Sequence, residues 1–393
     1  MTTKINRRAW LKSSLLAAGG IGLAPSLAGA AVSRVSSHVA PINPQSLLWE
    51  HDPMFKESAP ALKARLLANE NPYGPAKKVI SSISEAVSLG NRYAHSDAAT
   101  LIDMIAEKEG VSKENIMLGP GSTDLLEKSA IVSFLNGGNI VSADPTYMSL
   151  INTSRGIGAD WKAIPLKPDF SHDLDAMASA VDSDTKMVYI CNPNNPTGSI
   201  TNADKLKSFC KTVSKKAPIF VDEAYLEFMD NSEKNTMAGL VAEGYDVIIA
   251  RTFSKIHGMA GLRIGYIVAQ PERIESITSK VRSTMGLSVT SLRGAITSMK
   301  EEQFIADCKK MNKECRDFTY TALTGMGYDV IPSSTSFMIF PIEMDGDKFL
   351  KAMFAEGVGV RAYNFLDKPW CRVSMGTMPE MKIFLEAFKK VTA

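Results

Sequence analysis

Between residue 76 and about residue 270, short apolar runs rich in β-branched residues alternate with stretches whose apolar positions recur every three to four residues. Six of the runs read as buried strands: Asn115 to Leu118, Asn139 to Ala143, Met187 to Cys191, Ile219 to Val221, Val247 to Ala250 and Gly265 to Ala269. Ser122 to Leu135 and Asn202 to Lys215 carry the amphipathic spacing of helices. This alternation predicts an α/β domain with a doubly wound, mainly parallel sheet, whose ligands bind beyond the carboxyl ends of the strands. After about residue 280 the pattern changes. A long helix over Glu301 to Leu323, two or three strands near Asp329 to Phe340 and Cys371 to Ser374, and a last helix from Pro379 predict a smaller α+β domain. The chain therefore divides into an N-terminal segment 1–30, a linker and arm 31–75, a large domain 76–280 and a small domain 281–393.

The first thirty residues stand apart. Arg7-Arg8-Ala9-Trp10-Leu11-Lys12, a short stretch rich in Ala, Gly and Leu, and Leu27-Ala28-Gly29-Ala30 follow the order of a signal peptide cleaved after Ala30. The adjacent arginines resemble a twin-arginine export signal, which predicts a periplasmic or otherwise exported protein and the twin-arginine machinery as a partner. A protein exported already folded can carry a cofactor out with it. The apolar stretch is shorter than the ~20 residues of a membrane span.

Across all 393 residues the chain is 45% hydrophobic and 22% charged, which excludes disorder and a small disulfide scaffold. Its formal charge of +2 is too small for a nucleic-acid binder held by phosphate neutralisation. Lys4, Arg7, Arg8 and Lys12 account for it, and the remaining 363 residues carry −2. The five cysteines form no C-x-x-C pair and the five histidines no H-x-x-x-H, so no metal site is expected.

Four segments fall at the predicted strand ends. Gly119-Pro120-Gly121-Ser122-Thr123-Asp124 opens a helix, where glycines admit a ligand to the backbone and free N–H groups favour an anion. Cys191-Asn192-Pro193-Asn194-Asn195-Pro196-Thr197-Gly198 is a rigid turn able to aim a side-chain amide. Val221-Asp222-Glu223-Ala224-Tyr225 sets a carboxylate at the end of a buried strand, where it needs a cationic partner. In Ser254-Lys255, followed by Gly261-Leu262-Arg263, a lysine sits in a small, largely apolar setting that lowers an amine's pKa and makes it a nucleophile for carbonyls. An aldehyde for Lys255, a phosphate for the helix terminus with Ser254 and Arg263, and a ring-nitrogen cation for Asp222 together describe pyridoxal 5'-phosphate.

With these residues in place, the chain resembles fold-type I pyridoxal-phosphate aminotransferases, and among them the histidinol-phosphate aminotransferase group. Ala68-Asn69-Glu70-Asn71-Pro72-Tyr73-Gly74, Asn91-Arg92-Tyr93, Asp144-Pro145-Thr146-Tyr147, Asn192 to Gly198, Asp222 to Tyr225, Ser254-Lys255 and Gly261 to Arg263 carry the likeness. The resemblance implies that Lys255 binds the cofactor and shuttles the substrate proton, while Asp222 keeps the ring nitrogen protonated. It implies that Asn195 and Tyr225 bond the ring oxygen and Tyr147 stacks on the ring. Gly121, Ser122, Thr123, Ser254 and Arg263 would hold the phosphate, with Tyr93 reaching it from the second subunit of a homodimer. Arg372, Arg361, Asn71 and Tyr73 would face the substrate, an amino donor followed by a 2-oxo acid acceptor.

The sequence departs from the family at Ala94-His95-Ser96, at Ser122-Thr123-Asp124 and at Ile256-His257, where His257 reads either as a core histidine or as a substrate-facing group. Export sits poorly with histidine biosynthesis, a cytoplasmic pathway. An oxidase, or a decarboxylase of the threonine-phosphate type, is therefore the alternative on the same scaffold. A catalytically silent binding protein is disfavoured by Lys255, Asp222 and Asn195 occurring together.

Overall fold

The computed structural model describes residues 62–282 and 286–393, so the expected export signal lies outside the described residues. Seven strands, β2 (Ile116–Gly119), β3 (Asn139–Asp144), β4 (Asp160–Pro165), β5 (Thr185–Cys191), β6 (Ile219–Asp222), β7 (Val247–Thr252) and β8 (Gly265–Val268), form one sheet in the order β2-β8-β7-β6-β5-β3-β4. Strand β8 alone runs antiparallel to its neighbours β2 and β7. The central strands are apolar at successive positions because both faces are covered. Val188, Ile190, Val221 and Ile249 pack into one core. The residues that alternate with them, including Met187, Tyr189, Phe220 and Ile248, pack into another. The period-2 geometry of a strand sends neighbours to opposite faces, so one continuous apolar run supplies both layers.

A second architecture follows. Strands β9 (Phe337–Pro341), β11 (Arg361–Phe365) and β12 (Lys368–Ser374) form an antiparallel sheet in the order β11-β12-β9. Met338, Phe340, Phe349, Val373, Phe384 and Phe388 build its separate core. Phe388 sits edge-on to Phe340 at 5.3 Å and to Tyr328 at 5.0 Å. The helix Met378–Thr392 that brings Phe384 and Phe388 begins in a capping box between Thr377 and Glu380, which satisfies its first free N–H groups. The arm joins this part of the molecule: β1 (Ala64–Arg65) pairs in parallel with β10 (Val358–Gly359), and Leu66 is buried in the same core.

The six expected strands are present with ends shifted by no more than two residues. Strands β1, β4, β10 and β11 are additional, the first and third being two residues long. Strand β4 alternates between exposed and half-buried positions at the sheet's edge, so it lacks an apolar run. Strand β11 is likewise half-buried along most of its length. Conversely, Val330 and Ile331 are apolar and buried but lie in irregular backbone.

Candidate active site

A cavity of about 780 Å³ opens where Asp144, Cys191, Asp222 and Thr252 end strands β3, β5, β6 and β7. Ala68, Asn69 and Glu70 of the arm line it from one side, and Tyr363, Asn364, Phe365 and Arg372 of the β11–β12 hairpin from another. Ser122, Thr123, Tyr147, Asn195, Tyr225, Ser254, Lys255 and Arg263 complete the wall, so the strand ends gather the chemistry expected of them.

Lys255 Nζ donates to the carbonyl of Ala68 at 3.3 Å and lies 5.4 Å from the centre of the Tyr225 ring. Burial, then the nearby charges of Arg372 and Arg263, lower its pKa to about 8 against the pull of Glu70 and Asp222. Roughly a tenth of the amine is therefore neutral, and nucleophilic, at pH 7, against less than about a thousandth for an ordinary lysine. Asp222 has the opposite problem. Burial raises its carboxyl to about 6, although the N–H of Ala224 at 3.1 Å and the Tyr189 hydroxyl at 3.3 Å both donate to it. A cation placed against this carboxylate would offset its desolvation.

Tyr225 is buried, and Asn69 Nδ2 donates to its hydroxyl at 2.9 Å. Asn69 in turn exchanges two bonds with Ser374 at 2.8 Å, which fixes the amide that holds the phenol. Asn195 Oδ1 accepts from Arg372 Nη1 at 2.6 Å, and Arg372 Nη2 donates to the Leu67 carbonyl at 3.1 Å. The Arg372 guanidinium lies 5.2 Å from the centres of both the Phe337 and Tyr363 rings. Its Nε is a buried donor without a partner among the described residues, which leaves the group with unspent hydrogen-bonding capacity.

At the other end, Gly121 is the cap of helix Ser122–Phe134 and has φ +88°. A Cβ there would stand 2.3 Å from Arg263 Nη2, so glycine is what lets the guanidinium press against the start of the helix. Arg263 Nη1 also reaches Ser254 Oγ at 3.4 Å, and the Thr123 and Tyr147 hydroxyls lie 3.4 Å apart. Arginine, hydroxyls and a helix N-terminus are a suitable donor set for a phosphate dianion.

The remaining expected residues sit elsewhere. Tyr93 is 76% exposed, 5.9 Å from the His95 ring, and does not line the cavity of its own chain. Asn71 and Tyr73 line a separate small cleft: Asn71 Nδ2 donates to the Ile256 carbonyl at 2.7 Å, and burial with the neighbouring Cys315 pushes the Tyr73 phenol up to about 12. Arg361 is buried rather than on the surface, with its Nε donating to the Leu67 carbonyl at 3.3 Å, and is not part of the cavity wall. Asn69, Tyr189 and the Ala68 carbonyl are site groups that the sequence reading did not single out. A tyrosine within the apolar run of β5 was a usable signal, since a buried hydroxyl needs a partner. All five cysteines are free and buried, and no cluster suited to a metal occurs among the described residues.

An amine with a lowered pKa, a buried carboxylate awaiting a cation and a phosphate cradle share one cavity, so the residues fit pyridoxal phosphate. Fold and site define a fold-type I pyridoxal-phosphate enzyme. Residues 63–388 match the family model "Aminotransferase class I and II", and the chain belongs to that family. It is 32% identical to the histidinol-phosphate aminotransferase of Moorella thermoacetica over 331 residues, covering 84% of this chain and 85% of the relative. It is 34% identical to that of Brevibacillus brevis, covering 83% and 90%. Among solved structures, the histidinol-phosphate aminotransferase from Sinorhizobium meliloti in complex with pyridoxal-5'-phosphate superposes with a TM-score of 0.77 at 26% identity, covering 84% of this chain and 91% of that one. L-threonine-O-3-phosphate decarboxylase from Porphyromonas gingivalis, at 19% identity and a TM-score of 0.72 over 83% and 98%, shares the fold. The chain is a pyridoxal-phosphate-dependent aminotransferase.

Proposed function

We propose that this is an exported, homodimeric aminotransferase that takes its amino group from an amino acid or amino-phosphate carrying an anionic group, and passes it to a 2-oxo acid. The observation that carries the donor class is the pairing of Arg361 with Arg372 across β11 and β12: both guanidiniums are buried and both bond the Leu67 carbonyl. Arg372, the one of the two that lines the cavity and whose Nε has no partner among the described residues, is placed to bond an anionic donor.

The bound cofactor supplies the electron sink that makes the donor's Cα acidic. In this reading Lys255 Nζ would hold the cofactor through its aldehyde carbon and, once displaced by the donor, would take the proton from Cα and return it to that carbon, two bonds away. Its pKa of about 8 suits a base that must also release that proton. Asp222 would hold a proton at the ring nitrogen, Tyr225 and Asn195 would donate to the ring oxygen, and Tyr147 would pack against the ring. Ser122, Thr123, Ser254 and Arg263 hold the phosphate, joined by Tyr93 from a second copy, which agrees with that tyrosine standing exposed on its own chain. Arg372 orients the donor's carboxylate.

A donor panel scored in parallel for cofactor bleaching, oxygen uptake and CO₂ release tests the reaction. Anionic amino acids and amino-phosphates are expected to bleach the yellow enzyme without gas exchange, and neutral donors to do so at least tenfold more slowly. Oxygen uptake would establish the oxidase, and CO₂ release the decarboxylase. For export, the pair Arg7→Lys and Arg8→Lys is expected to hold the precursor in the cytoplasm, and undiminished export sinks the twin-arginine reading.

A further inference from the structure

Two residues beyond Lys255, His257 is buried and absent from the cavity wall, and both of its ring nitrogens are engaged. Nδ1 lies 2.8 Å from Ser298 Oγ, and Nε2 lies 3.3 Å from Glu227 Oε2. Neither nitrogen is left for a substrate. Around it runs a network of charges that the reaction does not use. Lys108 bonds the other oxygen of Glu227 at 2.9 Å, Arg251 bonds Glu223 at 2.8 Å and approaches Glu109 at 3.6 Å, and the Tyr266 hydroxyl donates to Glu109 at 2.7 Å.

We propose that His257 is a positioning residue for Lys255: its ring clamps the turn that carries the lysine to Glu227, on the segment that carries Asp222 and Tyr225, and to Ser298. The inference rests on the reading of Lys255 as the amine that captures the cofactor.

The geometry gives the clamp its leverage. The Gly258 N–H donates to the Lys255 carbonyl at 3.0 Å, so His257 lies inside a closed turn whose movement is the movement of the lysine backbone. Gly258 has φ +70°, and a Cβ there would stand 2.2 Å from the Gly74 carbonyl oxygen, so the turn is packed directly on the arm. On the other side, Glu227 belongs to the short helical turn Leu226–Phe228, directly after Tyr225 and a few residues after Asp222. The His257–Glu227 bond therefore spans the two segments that hold the amine and the carboxylate. The Phe253 ring, 4.7 Å away, packs against the imidazole. An error of about 1 Å in the placement of a reacting group can cost about a hundredfold in rate, so a brace at this point is functionally consequential.

The test reads the amine itself. Apoenzyme is mixed with pyridoxal phosphate across a pH series, the adduct is fixed with borohydride, and the fraction carried on Lys255 is measured against time by peptide mass spectrometry. In His257→Phe the freed turn admits water to the amine. The pH at which capture levels off is expected to move up by half a unit or more, and capture at pH 7 to slow at least about threefold. His257→Gln keeps a donor for Glu227 and is expected to stay within about twofold of the parent protein. A His257→Phe protein with unchanged capture and a lower melting temperature overturns the proposal. Should that variant fail to fold, Glu227→Ala cuts the clamp from its other end and must produce the same upward shift; unchanged capture there overturns the proposal equally. Failure of the parent protein to be fixed at Lys255 would instead overturn the reading of that lysine, and the clamp with it.

Discussion

Lys255→Ala is expected to lower turnover by about four orders of magnitude, the upper range for removing a positioned acid–base group, while the fold is retained. The lysine contributes little to the core. Its amine donates to the Ala68 carbonyl at 3.3 Å and is held at a pKa of about 8 by burial and by Arg372 and Arg263. Removing it relieves a desolvated cation, so the variant should melt no lower than the parent apoenzyme. The discriminating measurement is borohydride treatment of the loaded protein: the yellow colour is fixed covalently in the parent and washes out of the variant. Covalent fixation in Lys255→Ala would show that another amine does the work. The native amine binds its proton less tightly than an unfolded lysine with its pKa of about 10.4. Capture of the aldehyde by parent apoenzyme should accordingly rise with pH and level off near 8 rather than near 10.

Asp222→Asn separates cofactor chemistry from stability. Turnover is expected to fall at least a thousandfold, because an amide cannot hold the ring nitrogen in its protonated state, and cofactor retention should weaken with it. The apoenzyme should behave differently. Burial raises the native carboxyl to about 6 from an ordinary 3.8, so between those values the native state binds a proton that the unfolded chain has released. Stability is therefore lost as pH rises through that window, and the parent apoenzyme carries the cost at neutral pH. Asparagine can keep its Oδ1 accepting from the Ala224 N–H while its Nδ2 donates to the Tyr189 hydroxyl, and it does not ionise. Its apoenzyme is expected to melt at or above the parent at pH 7, with a flatter profile between pH 4 and 6. A variant that is both destabilised and fully active would mean that the ring nitrogen has another partner.

The two cases show how unevenly the sequence records a site. Lys255, Asp222, Asn195 and Arg263 were legible because each lies at or near the end of a buried strand, and strands covered on both faces announce themselves as apolar runs. Strand β4 did not, since its side chains alternate between solvent and half-burial. The arm was harder still: Ala64–Arg65 pairs with Val358–Gly359, nearly 300 residues away, and two-residue strands leave no periodicity to detect. The same separation hid Asn69, whose bonds to Tyr225 and Ser374 are meaningful only once the arm is in place. His257 stood out as a departure, but its task depends on Glu227 and Ser298, which no local pattern connects to it.

The carbonyls of Leu67 and Ala68 accept from Arg361, Arg372 and Lys255. These are peptide oxygens, present whatever residue occupies either position. A scan that truncates side chains along the arm would leave them intact and report the stretch as unimportant. The contact is encoded in where the chain runs rather than in what it displays, so it tolerates sequence drift and responds to changes in length. Inserting one residue between Arg65 and Leu67 would move both oxygens out of reach of the cations they serve.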